Sequence, residues 1–183
     1  MCSSDLGTAG DPAWVGAAAV HAGRVVASAA LSGEAGAPYA PGLLALREGA
    51  LLEAGCRALD VAVDVVLVDA TGSDHPRRAG LALHLGAVLE LPTVGVTDRT
   101  LQATAAVPGP ERGAWADLRL DDELVGYSLR TRQGARPVFV HAAWRTTPDV
   151  ARDLVMSVPA QARTPMPLRE ARRIARRLRA GDL

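Results

Sequence analysis

The chain has 183 residues, 49% apolar and 22% charged, which is the composition of a globular protein with a core. Its 20 basic residues, all arginines, balance 20 acidic residues, so no net charge draws the chain toward nucleic acid or a membrane. The absence of lysine excludes chemistry that needs a lysine amine. Two cysteines without metal spacing suit a reducing, cytoplasmic compartment, and no apolar run is long enough to span a membrane.

The first residues, "MCSSDLGTAGDP", differ from the rest of the chain. They lack the basic and apolar regions of a signal peptide, and they read unlike the sequence that follows. We therefore predict that residues 1–13 are a disordered or spurious N-terminal segment and that residues 14–183 form a single domain.

Apolar periodicity and turn residues predict the remaining elements. In chain order they are a hairpin at 14–20 and 24–31, a helix at 42–59, a buried strand at 64–69, a helix at 79–89, a strand at 92–97, a loop at 101–116, a hairpin at 124–131 and 136–142, and helices at 148–157 and 168–180. Antiparallel strands followed by strand–helix alternation predict an α/β fold, a mixed β-sheet flanked by helices.

Two carboxylates stand out in this pattern. Glu48 falls within the apolar stripe of its helix, where a charge is costly unless something pairs with it. Asp69 ends a buried strand, and ligands bind outside the carboxyl ends of such strands. If the helix packs on that sheet, the two acids converge and offer the hard oxygen ligands that Mg²⁺ prefers. The alternative is that Glu48 pairs with an arginine and Asp69 caps its loop.

Histidines and arginines elsewhere leave two interpretations open. His75 and Arg77, in "SDHPRR", either contact phosphate or order their loop. His141 is a site candidate at a strand end, whereas His84 is predicted to be a packed core residue. The arginine-rich helix at 168–180 is either a solvated face or a surface that follows phosphates.

Two segments resemble one family closely. "PYAPGLLALREG", which begins at Pro38, and "DVVLVDATGSDHPRRAGLALHLGAVLELPTVGV", which begins at Asp64, resemble endonuclease V, the deoxyinosine-directed nuclease family. The later "LVGYSLRTRQGARPVFV" and "RTPMPLREARRIAR" are similar to its penultimate hairpin and its C-terminal helix. The resemblance extends over about 17–180 with the order and gap lengths preserved.

The resemblance implies a ribonuclease H-like fold and a Mg²⁺-dependent endonuclease, with Mn²⁺ as a substitute. Such an enzyme nicks DNA at the second phosphodiester 3′ to a deoxyinosine, in repair of deaminated adenine, and some members act on inosine in RNA. It implies a cytoplasmic monomer that needs no membrane. By resemblance, catalysis and metal binding fall to Glu48 and Asp69, and Tyr39 is the wedge that enters the strand near the flipped base. The substrate-binding residues implied are Tyr39, Pro41, Gly42, Gly72, His75 and Arg77.

The chain departs from the family at several positions. The family's first strand carries an aspartate that is not found here, and a truncated or corrupted start explains the gap best. The family's lysine falls at Asp98 and its late histidine at Trp144. Asp149 is a candidate replacement for that histidine, and His141, near Trp144, is a site candidate. The alternative function is therefore a catalytically impaired homologue that only binds inosine-containing nucleic acid.

Overall fold

The structure is a computed structural model that describes residues 8–159 and 162–183. The chain forms two compact units, Met1–Val63 with Pro167–Leu183 and Asp64–Met166, and each is described by itself. The assignment of 14–183 as a single domain therefore stays a prediction. The disorder predicted for residues 1–7 falls outside the described residues.

The first unit is built on the predicted hairpin, which is confirmed. Strands β1 (Pro12–His21) and β2 (Arg24–Glu34) pair antiparallel as a two-stranded sheet of their own. Ala22 and Gly23 join them with φ values of 48° and 74°, the left-handed pair that a tight two-residue hairpin turn requires. Strand β1 begins at Pro12, two residues before the predicted start of the hairpin.

Two helices pack on this hairpin, namely α1 (Leu44–Arg57) and α4 (Met166–Ala180). Glycines set the approach: a Cβ on Gly55 would lie 2.7 Å from Val15 Cγ1. A Cβ on Gly16 would lie 2.2 Å from the carbonyl oxygen of Ala171. The apolar stripe of α1 meets the small residues of the hairpin, and the expected packing of α1 on the sheet that contains residues 64–69 stays a prediction.

The second unit is a six-stranded mixed sheet in the order β3-β4-β8-β7-β6-β5. Strands β3 and β4 are parallel, and the other neighbours are antiparallel. Helix α2 (Leu81–Leu89) packs on β3 and β4, and α3 (Pro148–Ser157) packs on β7 and β8. The strands are β3 (Val66–Val68), β4 (Thr93–Thr97), β5 (Thr104–Ala105), β6 (Trp115–Leu120), β7 (Glu123–Leu129) and β8 (Val138–Ala142). The predicted mixed sheet with flanking helices is confirmed.

Two details of this unit differ from the prediction. Strand β5 and the start of β6 occupy part of the predicted loop at 101–116. His84 is exposed on α2 and is not a core residue. In the described part of the chain, none of the helices has the length and apolar character needed to cross a membrane.

Candidate nucleic-acid and metal-binding site

The segment 69–80, named here the Asp69 loop, follows β3 and leads into α2. Asp69 is half-buried and comes directly after the last residue of β3. The loop closes on itself, because the Gly80 N–H donates to Gly72 O at 3.0 Å. Neither glycine has room for a side chain: a Cβ on Gly72 would lie 2.1 Å from Ala142 O, and one on Gly80 would lie 2.3 Å from Thr71 O. The backbone of the Asp69 loop is therefore tightly packed at both glycines.

Asp74 anchors the Asp69 loop from within. It is fully buried, and its carboxylate accepts the backbone N–H groups of Leu101, Gln102 and Ala103 at 2.8, 2.7 and 2.7 Å. Hydrogen bonds to a buried carboxylate are among the stronger ones in proteins. The loop after β3 is thereby tied to the segment that follows β4. This role is not visible in the sequence, since nothing in "TGSDHP" distinguishes a buried aspartate from an exposed loop residue.

His75 and Arg77 lie on the same loop in different surroundings. His75 is buried, and its Nδ1 accepts the backbone N–H of Arg77 at 3.2 Å. That contact favours loop ordering as the role of His75, one of the two predicted. The Arg77 residue is exposed. Next to it, Arg78 donates to the carboxylates of Asp121 and Glu123 at 3.0 and 2.9 Å, which ties down the outer end of the loop.

His141 lies in β8 and is fully buried. Its Nε2 is 2.9 Å from Thr97 Oγ1, and the Thr97 hydroxyl donates to Arg99 O at 2.7 Å. Because the hydroxyl has only one hydrogen, Nε2–H must be the donor to Thr97, and Nδ1 is unprotonated. Nδ1 has no hydrogen-bond partner among residues 8–159 and 162–183. Burial lowers the pKa of His141 to about 4, against the opposing charge of Asp74, so the ring is neutral at pH 7.

Trp144 is the residue at which the resemblance places the family's late histidine. Its main chain is fixed by Thr93, whose N–H donates to Trp144 O at 2.9 Å and whose Oγ1 accepts the Trp144 N–H at 3.1 Å. A Cβ on Gly86 would lie 2.3 Å from Trp144 Cβ, so the side chain begins directly against α2. An indole cannot ligate Mg²⁺ or transfer a proton at this position.

Asp149 and Asp98, two further positions of interest, are each engaged in ion pairs. Asp149, in the first turn of α3, accepts the Tyr127 hydroxyl and an Arg152 N–H, each at 2.9 Å. Burial and the bond to Asp149 raise the pKa of Tyr127. Asp98 pairs with Arg163 at 2.6 Å. A guanidinium therefore lies beside the position where the resemblance implies a lysine.

Residues 35–43, named here the Tyr39 loop, precede α1 in the other unit. The Leu43 N–H donates to Ala40 O at 3.0 Å, and Gly42 has a φ of 74°. Pro41 and Gly42 thus hold the central positions of a type II turn, which requires a left-handed residue after the proline. Tyr39, immediately before this turn, is half-buried.

Arg47 holds the Tyr39 loop to α1. Its Nη1 donates to Ala37 O at 2.9 Å and to Thr8 O at 3.0 Å, and its Nη2 lies 3.4 Å from Asp11 Oδ2. The Thr8 side-chain hydroxyl and Arg47 lower the pKa of Asp11. Asp11 is therefore part of an ion pair that links the segment before β1 to α1.

Glu48 lies one residue further along α1 and is half-buried, like Asp69. Each offers carboxylate oxygens, the ligand type that Mg²⁺ takes alongside water and substrate phosphates. The donor chemistry of these two residues therefore fits the implied metal. Among the residues that the structure describes, no group of three or more histidines, cysteines or acids could hold a metal ion.

The mixed sheet with its flanking helices places the chain among α/β proteins of the ribonuclease H-like fold. The endonuclease V family model matches residues 4–173, so the chain belongs to the endonuclease V family. Endonuclease V of Roseiflexus castenholzii is 40% identical over 139 residues, 75% of this chain and 62% of that protein. The chain thus spans about three-fifths of that relative's length.

Two solved structures extend the comparison. The crystal structure of endonuclease V from Streptomyces avermitilis superposes with a TM-score of 0.82 at 33% identity, over 96% of this chain and 85% of that one. Endonuclease V of Ciona intestinalis, in complex with a 24mer DNA containing an inosine, has a TM-score of 0.66 at 22% identity over 86% of this chain and 74% of that one. The Ciona likeness shows the fold.

Proposed function

We propose that the chain is a Mg²⁺-dependent endonuclease that nicks DNA at the second phosphodiester 3′ to a deoxyinosine and so initiates repair of deaminated adenine. The observation that carries the proposal is Asp69, held by an anchored loop at the carboxyl end of β3 in a chain of the endonuclease V family. Inosine in RNA is a second substrate to test. A cytoplasmic monomer remains our prediction.

The proposed metal ligands are the carboxylates of Glu48 and Asp69, with Mn²⁺ as a substitute for Mg²⁺. The bound ion would lower the pKa of a water and neutralise charge on the phosphodiester. The proposed substrate contacts are the side chains of Tyr39 and Arg77 and the backbone of Gly72. The type II turn at Pro41 and Gly42 follows Tyr39 directly and precedes α1, and this position next to a defined turn supports the proposal of Tyr39 as the wedge.

The metal assignment is tested with a labelled duplex that contains one deoxyinosine, incubated with Mg²⁺ and resolved on a denaturing gel. We expect a single nick, and we expect Asp69→Asn to abolish it because the amide removes the ligand charge. Asp117→Asn, a change of the same chemistry on β6, should nick like the wild type. Full activity in Asp69→Asn would refute the assignment.

The wedge assignment concerns lesion preference more than overall binding. Tyr39→Ala should weaken the preference for deoxyinosine DNA over undamaged DNA about tenfold, the order of one base–aromatic stack removed. Tyr39→Phe keeps the ring and should keep the preference. A Tyr39→Ala protein with unchanged preference would remove Tyr39 from this role.

A second candidate function is an inosine-binding module without turnover. It is favoured by Trp144 at the family's histidine position and by Asp98, paired with Arg163, at its lysine position. The same duplex distinguishes the two candidates. Binding of deoxyinosine DNA without nicking, in either Mg²⁺ or Mn²⁺, would support the module and contradict the enzyme.

A further inference from the structure

We propose that α4 carries a contact surface for the phosphates of duplex DNA, separate from the residues assigned to lesion recognition. The surface, named here the arginine stripe, consists of Arg169, Arg172, Arg173, Arg176 and Arg177. It would bind DNA irrespective of sequence or lesion. The choice of DNA as partner rests on the proposed function, whereas the existence of the stripe does not.

Helical spacing places the stripe on one face of α4. From Arg169 its members recur at i+3, i+4, i+7 and i+8, the positions that share a face of an α-helix. Leu168, Ile174 and Ala175 are buried. The close approach of Gly16 to the α4 backbone fixes the rotation of the helix, so the stripe is held in one orientation relative to the hairpin.

The charge of α4 is segregated from the rest of the chain. The helix has six arginines against one glutamate, a net charge of +5, in a chain whose formal net charge is zero. The remainder therefore carries −5. A solvated surface helix typically intersperses both signs and gains from oppositely charged i,i+4 pairs. Here the pairs Arg169–Arg173, Arg172–Arg176 and Arg173–Arg177 are all like-charged, which destabilises an isolated helix.

The helix dipole explains only part of this pattern. Arg177, in the last turn, is favourably placed at the negative end of the helix. Arg169 lies in the first turn, where a positive charge is unfavourable. A stripe that runs the length of the helix is better explained by an external polyanion with regularly spaced charges, which the phosphates of DNA supply.

The outer members of the stripe are available to such a partner. Arg173, Arg176 and Arg177 are exposed. Arg173 is ion-paired to Glu170 at 2.8 Å and Arg177 donates to Asp182 O at 2.8 Å, and exposed interactions of this kind contribute little and exchange readily. Arg169 and Arg172 are half-buried and make other interactions. Phosphate binding therefore falls mainly to the three exposed members.

The test compares two triple variants of the full chain in binding to a lesion-free duplex. One variant combines Arg173→Gln, Arg176→Gln and Arg177→Gln. The control combines Arg24→Gln, Arg119→Gln and Arg132→Gln, which removes the same charge from exposed positions scattered over other elements. Binding is measured by fluorescence anisotropy in 50–200 mM NaCl, without divalent metal, the salt range over which phosphate neutralisation changes affinity most visibly.

In the stripe variant, the slope of log K against log salt should fall by about 0.9 for each phosphate that the helix no longer neutralises, and by about 2.7 for three. Its Kd at the lowest salt should rise at least ~10-fold, and the control should stay within about 2-fold. Its melting temperature should stay close to that of the wild type, because the relief of like-charge repulsion offsets the loss of the Arg173–Glu170 pair and of the Arg177 charge at the end of the helix. If the triple variant does not fold, Arg176→Gln alone should still lower the slope by about 0.9.

An unchanged slope in the stripe variant, or an equal reduction in the control, would overturn the proposal. The outcome is separable from the proposed function, because no nicking is measured. If the wild type nicks at deoxyinosine and the stripe variant has an unchanged slope, the proposal for the arginine stripe is refuted and the proposed enzyme function stands. If the slope is lowered but the wild type does not nick, the arginine stripe is supported and the proposed enzyme function is refuted.

Discussion

The Tyr39 loop and the Asp69 loop both carry predicted nucleic-acid contacts, and the chain holds them by different means. The Asp69 loop is anchored from inside by a fully buried carboxylate, and two of its glycines lie against backbone carbonyls. The start of the Tyr39 loop is held by backbone hydrogen bonds from Ala35 N–H to Asp11 O and from Gly36 N–H to Arg47 O, and Gly36 also lies against a backbone carbonyl. The rest of the loop is held by its type II turn and by the Arg47 side chain, which reaches Ala37 O. The Asp69 loop is thus fixed near its middle by a buried side chain, whereas the Tyr39 loop is fixed mainly by its backbone at its start.

The difference fits the proposed roles. A residue that positions a metal needs a rigid support, since small displacements reduce catalysis strongly. A side chain that probes a flexible duplex gains from a support that can shift at low cost. Substitutions at the anchor of each loop test whether the two loops really differ in this way.

The largest effect is expected at Asp74. Asp74→Ala leaves three N–H groups, that of the buried Ala103 among them, without their charged acceptor, which should lower the free energy of unfolding by about 4 kcal/mol. Urea denaturation followed by circular dichroism measures the change. Asp117→Ala removes a half-buried carboxylate paired with Arg119 and should stay within about 0.5 kcal/mol. Similar losses of stability in the two variants would mean that the Asp69 loop has no special anchor.

His141 predicts a pH dependence in the same unit. Burial lowers the pKa of His141 from its ordinary value of 6.5 to about 4 in the folded chain, so the unfolded chain binds the extra proton between these values. The free energy of unfolding should therefore keep its full value above about pH 6.5 and fall by about 3 kcal/mol as the pH drops to about 4. Urea midpoints at a series of pH values give the slope. His141→Gln should flatten it, and an unaltered slope would show that other groups cause the destabilisation.

A smaller effect is expected at Arg47. Arg47→Gln removes the hydrogen bonds to Ala37 and Thr8, which should lower the free energy of unfolding by about 1 kcal/mol. Arg57→Gln, at an exposed i,i+4 pair on the same helix, should change it by less than about 0.5 kcal/mol. If Arg47→Gln proved as damaging as Asp74→Ala, the contrast between the two loops would disappear.

Much of the fold could be predicted from the sequence because its signals are local. The first hairpin, α1, α3 and α4 each combine clear periodicity with turn or capping residues, such as Thr147 and Pro148 at the start of α3. Strand β6 was not predicted, for a physical reason. Charged residues alternate with its apolar ones, and its partner β7 lies beyond it in the chain, so only pairing reveals it.

The candidate site likewise has features that the sequence could predict and others that it could not. The Pro41–Gly42 turn and the placement of Asp69 after a buried strand could be inferred from local sequence and resemblance. The role of Asp74 could not, because its three partners lie more than twenty-five residues away. The error at His84 has a related cause, since apolar neighbours on a short helix do not reveal which side faces solvent.

Gly16 carries a consequence for how this protein tolerates variation. Its missing side chain lets α4 lie directly on β1, and one added methyl group would meet the α4 backbone at 2.2 Å from Ala171 O. Substitutions among the exposed arginines of α4 leave that packing intact, so the charge of this face can change with little loss of stability. The opposite holds at residue 16, where the smallest possible enlargement displaces the whole helix together with every charge on it.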